Sequence, residues 1–141
     1  MAGMDRPSIL VTDLQAALCA ASAAASSKTP TALLSVRDAA LTAGIGWFDA
    51  VMRAARKNSP DADLIGILDC GDRADLVQMA WRQGIEVAIY RGSPQVSKRL
   101  EGIARQIGKI LLRRRPRTIE ITDPTDVGAL AARLRRNRRA S

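Results

Sequence analysis

With 141 residues, 47% of them apolar, the chain is long enough for one domain, residues 1–141, with its own core and no need of a disulfide or metal to fold. It has no histidine and only two cysteines, Cys19 and Cys70, set far apart, which removes the commonest general base and argues against a disulfide scaffold or a metal centre. The net charge of +8 belongs to one end: residues 1–97 carry nine Lys/Arg and ten Asp/Glu, residues 98–141 thirteen and four.

In chain order, S-I-L-V-T-D-L-Q-A-A-L-C-A-A-S superficially resembles a leader sequence. Asp13 breaks its apolar run and Asp5 offsets Arg6, so the basic start of a secretory signal is missing. Ala16 and Leu18 precede Cys19 in the reverse of the order a lipoprotein site wants. No run reaches the ~18 apolar residues of a membrane span, so the expectation is a cytoplasmic protein without a membrane segment. Leu14, Ala17, Leu18, Ala21 and Ala25 fall at helical spacing behind a Thr12/Gln15 capping box, and the serines of A-S-A-A-A-S-S-K are expected to fray that helix. T-A-L-L-S-V then reads as a strand. Trp47, Phe48, Val51, Met52 and Ala55 form a second helical stripe, and D-L-I-G-I-L a second strand.

Leu76, Val77, Ala80 and Trp81 give a third helix, capped by Asp72 with Asp75 three residues on and ended by Gly84. After the strand E-V-A-I-Y comes a fourth helix on Val96, Leu100, Ile103, Ala104 and Ile107, with Ser93 as cap, Pro94 in its first turn and Gly108 at its end. K-I-L-L and T-I-E-I-T are too close for a crossover helix, so they form a hairpin-like pair or one of them is not a strand. A fifth helix on Val127, Leu130, Ala131 and Leu134 is entered through Asp123 and Pro124. Residues 123–141 thus read as a C-terminal helix ending in a basic tail.

Near-continuous apolar strands alternating with helices predict an α/β fold: a three-layer, open, mainly parallel sheet of four to five strands with helices on both faces, flavodoxin-like or Rossmann-like. In such sheets ligands bind beyond the carboxyl ends of the strands. Those ends deliver Arg37 and Asp38, then Asp69, Cys70, Gly71 and Asp72, then Arg91, Gly92 and Ser93, then Arg113 and Arg114. Each has a plain structural reading: Asp72 and Ser93 as caps, Cys70 as a small buried side chain, Asp69 in a salt bridge with Arg37 or Arg91.

Known site patterns are absent. The two aspartates are spaced D-x-x-D rather than D-x-D, and Leu76 stands where a cysteine phosphatase loop needs arginine. There is no Walker A loop, and A-G-I-G-W-F offers only Gly44 and Gly46 of a longer glycine fingerprint. The stretches A-G-I-G-W-F, I-L-D-C-G-D and A-W-R-Q-G together resemble a group of small uncharacterised proteobacterial α/β proteins over residues 31–92. That resemblance implies a fold unit and no activity, and it draws together Gly44, Gly46, Trp47, Asp69, Cys70, Gly71 and Asp72.

Three readings stay open. In the leading one, a small polar or anionic ligand binds Arg37, Gly44, Gly46, Asp69, Gly71, Asp72, Arg91 and Ser93 at the carboxyl edge; if the domain is an enzyme, Asp69 and Cys70 are the catalytic candidates. In the second, Arg113, Arg114, Arg115, Arg117, Arg133, Arg135, Arg136, Arg138 and Arg139 bind nucleic acid or an acidic protein. The third is an oligomeric structural domain, a homo-oligomer without ligand. None of the three calls for a cofactor or a metal.

Overall fold

The computed structural model describes residues 5–140, the last two as backbone alone. Its strands are β1 (Ser8–Leu10), β2 (Thr31–Leu34), β3 (Leu64–Asp69), β4 (Val87–Ile89), β5 (Ile110–Leu112) and β6 (Thr118–Ile119). Its helices are α1 (Leu14–Ser27), α2 (Ala39–Thr42), α3 (Ile45–Asn58), α4 (Ala74–Arg82), α5 (Pro94–Ile107) and α6 (Val127–Ala140). The α/β class with a parallel sheet is as expected, but there are six strands in the order β5-β4-β3-β2-β1-β6, and every pairing is parallel. The added strand is β1, three residues long, which pairs with β2 on one side and β6 on the other.

The two faces of the sheet are covered differently. From β1 to β5 each crossover steps the same way across the sheet, and right-handed connections then place their helices on one side. The buried faces of α1, α3, α4, α5 and α6 accordingly share one cluster with Ile9, Leu33, Leu68, Ala88 and Leu111. Ala32, Leu34, Ile67, Val87 and Ile89 point the other way, are fully buried, and cluster only with residues of the strands.

A sheet that hides this face without a helix layer must curl around it. The β5–β6 link requires the same. Leu112 lies level with Asp69, and Thr118 with Ile65, four residues lower. Across a flat sheet the two would be about 27 Å apart, whereas six residue steps reach about 22 Å at most. K-I-L-L and T-I-E-I-T are therefore both strands but not a hairpin pair. They lie at the two edges of a curled sheet, joined by Arg113–Arg117.

Local signals were displaced in places. Asp13, not Thr12, caps α1, its Oδ1 accepting from the Ala16 N–H at 2.8 Å. The serine-rich stretch stays helical to Ser27, because Ala20, Ala21, Ala23 and Ala24 are buried and α6 packs on this helix. Helix α4 starts after Arg73, so Asp72 caps nothing. Ser93 does cap α5, accepting from Val96 N–H at 3.2 Å, and Gly108 ends that helix with φ 71°. Asp126, not Asp123, receives the Ala129 N–H at the start of α6. Among the described residues no helix is long and apolar enough to cross a membrane.

Candidate functional site

The carboxyl ends of β2, β3 and β4 converge on one buried carboxylate. Asp69 belongs to the same inward row of β3 as Ile65 and Ile67, one step above the enclosed apolar face, and it is fully buried. Its Oδ2 accepts from Arg91 Nη1 at 2.7 Å and from Arg115 Nη1 at 3.0 Å. Its Oδ1 accepts the Gly71 N–H at 3.0 Å, and the Asp38 N–H also donates to the carboxylate. Burial pushes its pKa up, yet the bonds from Arg91, Arg115, Gly71 and Asp38 outweigh that and hold it below the ordinary carboxylate value. The side chain is ionised and fully engaged.

The network continues outward. Arg91 Nη2 donates to Asp38 Oδ1 at 2.8 Å, and Arg115 Nη2 donates to the Ser35 carbonyl at 3.0 Å. Ser35 Oγ accepts the Asp69 N–H at 3.0 Å, tying the end of β2 to that of β3. Two left-handed residues make the turns that bring these groups together: Asp38 at φ 59° and Gly71 at φ 58°. A side chain at Gly71 would run into the Asp38 carboxylate, so glycine serves both the backbone and the close approach.

The other expected residues lie outside this network. Arg37 is exposed beside this mouth with no ion-pair partner among the described residues, and the same holds for Arg114. Asp72 is exposed and apart from the network; Ser93 is engaged as a cap; Gly44 and Gly46 open α3, with open space where a Cβ would stand. Cys70 is buried, its Sγ donating to the Leu68 carbonyl at 3.7 Å. Burial, with the charges of Asp69 and Asp75, pushes that thiol up to about 12, so it is not a thiolate at neutral pH.

The C-terminal arginines do not form one patch. Arg113 pairs with Glu101 at 2.9 Å, while Arg115 belongs to the Asp69 network. Arg133, Arg135 and Arg138 donate to the carbonyls of Glu120, Ser26 and Lys28 at 2.8, 3.3 and 3.0 Å. Arg117 and Arg136 are exposed, and the side chain of Arg139 lies outside the described residues. Among the described residues no group of three or more His, Cys, Asp or Glu is placed to hold a metal ion.

The sequence offers Arg37 or Arg91 as the partner of Asp69; the structure takes Arg91, and adds Arg115 and Ser35, which sequence reasoning missed. Nothing local marks Arg115, 46 positions away, because only the curl of the sheet lays the β5–β6 link across this mouth. Fold and site together define an all-parallel α/β domain whose carboxyl mouth is built on an arginine–carboxylate network. No protein-family model and no curated protein matches the chain.

Proposed function

We propose that the domain binds a small anion at the carboxyl mouth, with Asp69 positioning the arginines rather than acting as an acid or base. The observation that carries this reading is the single buried oxygen shared by Arg91 and Arg115. Each guanidinium gives two of its five N–H groups to the bonds just described, and the remainder stay available at a fixed angle. Arg37 and Arg114 add uncompensated charge at the rim. An ionised, doubly paired Asp69 and a protonated Cys70 leave neither catalytic candidate in a reactive state, so binding is favoured over catalysis.

The test is a thermal-shift and arginine Nε–H NMR titration with inorganic phosphate and with citrate. Saturable shifts of the Arg91 and Arg115 signals, lost in Arg37→Ala/Arg114→Ala, are expected. A ligand at a hundredfold its Kd would stabilise the fold by about 2.7 kcal/mol. Signals at the mouth that stay unmoved by either anion would overturn the reading.

A further inference from the structure

We propose that the amino-terminal edge of the sheet, at the opposite end from the mouth, binds the phosphodiester backbone of a nucleic acid. Two adjoining clefts of about 280 and 380 Å³ share Asp5, Arg6, Pro7 and Asn137. Together they form one groove running from Thr29 and Pro30, before β2, past the start of β1 to Arg117 and Thr118 at the start of β6. Four guanidiniums line it, those of Arg6, Arg117, Arg133 and Arg138, against two carboxylates, Asp5 and Asp63. They come from three places in the sequence: the N-terminal loop, the β5–β6 link and α6.

What marks this groove is how its cations are held. Arg6 is anchored by the Asp63 carboxylate at 3.0 Å. Arg133 bonds the Glu120 carbonyl, a group that fixes a guanidinium without neutralising it, and one of the contacts of Arg138 is to the Lys28 carbonyl. Arg117 is exposed and has no partner among the described residues. The result is a set of oriented cations with a surplus of positive charge, which is what phosphate oxygens require. The groove crosses the feet of β2, β1 and β6, two inter-strand gaps or about 10 Å, room for more than one phosphate of a chain. The cationic surface continues past it along α6 through Arg135 and Arg136. No aromatic side chain lines either cleft, so bases have nothing to stack on and recognition rests on the backbone, tolerant of sequence.

Fluorescence anisotropy of the full chain with a short labelled RNA, and separately with a short duplex DNA, tests this between about 50 and 200 mM salt. With Arg6 paired to Asp63, contacts from Arg117, Arg133 and Arg138 predict a log–log salt slope of about −2 to −3. Arg117→Ala with Arg133→Ala should weaken binding and make that slope shallower by about 1.5 to 2. Arg117→Ala alone, at an exposed side chain, should take off about half as much and leave the melting temperature unchanged. Arg114→Ala, at the other end of the sheet, should leave the slope as it was. Absence of binding to both strands at the lowest salt overturns the proposal, as does binding that the double variant leaves intact. Binding of inorganic pyrophosphate in the groove without binding of either strand overturns it in favour of a small phosphate ligand.

Discussion

The two ends of the sheet treat arginine differently. At the carboxyl mouth Arg91, Arg113 and Arg115 are held by carboxylates, those of Asp38, Asp69 and Glu101. Toward the amino-terminal edge and along α6, Arg6 pairs with the Asp63 carboxylate, whereas Arg133, Arg135 and Arg138 bond backbone carbonyls. A carboxylate orients a guanidinium and cancels its charge, whereas a carbonyl orients it and leaves the charge in place. The first arrangement suits stability and the small anion proposed for the mouth. The second suits the extended polyanion proposed for the groove. A net charge of +8 says nothing about this division.

The largest effect that separates the two ends should come from Asp69→Asn. It leaves Arg91 and Arg115 facing a neutral amide above an apolar interior, and breaking a buried pair in this way costs about 3 kcal/mol. Chemical denaturation should show that loss. The same variant should leave the salt slope of nucleic-acid binding alone, since the groove lies at the far edge. Unchanged stability would mean that the network is not what holds the mouth.

Acid should reproduce part of this effect in the unmodified chain. The folded-state pKa of Asp69 is depressed. Its contribution is therefore complete above the unfolded value of about 4 and is lost as pH falls through the folded one. Between those limits the unfolded chain binds more protons, so stability rises with pH. Denaturation midpoints measured downward from about pH 5 should fall, and the fall should be shallower in Asp69→Asn.

Gly71→Ala comes next. Left-handed backbone costs a side chain about 1–2 kcal/mol, and the added carbon also displaces the Asp38 carboxylate from Arg91. A melt should register the cost. The Arg91 Nε–H signal should shift even where the chain remains folded, which distinguishes loss of the ion pair from strain alone.

The legibility of these regions in the sequence follows from the range of the forces that build them. Helical stripes such as Phe48–Val51–Met52–Ala55 and the Ser93–Pro94 cap are local, and the structure keeps them. Strand β1 was not legible because S-I-L is three residues long and runs into the apolar side of α1 after a short turn. Which face each helix takes depends on strand order, and the sequence carries no direct record of that order. The D-C-G-D stretch was legible as a strand end with an unexplained aspartate. Its explanation needed Arg115, brought over by a sheet that curls, and Arg6 joins the opposite groove for the same reason: β1 and β6 are neighbours.

The smallest test bears on carbonyl-held arginines directly. Arg135 Nη2 reaches the Ser26 carbonyl in the last turn of α1, where unpaired carbonyls concentrate the negative end of the helix dipole. The contact is exposed and 3.3 Å long, so it sits at the weak end of such interactions, about 0.5 kcal/mol. Arg135→Ala should lower the melting temperature slightly at low salt and by less at high salt, because the dipole's field is screened there. Arg37→Ala, at an exposed side chain with no ion-pair partner among the described residues, should change stability at neither salt concentration. If the two variants behave alike, the carbonyls do not hold these arginines in solution. The preorganisation inferred for Arg133 and Arg138 would then lose its support, while the charge of the groove would remain.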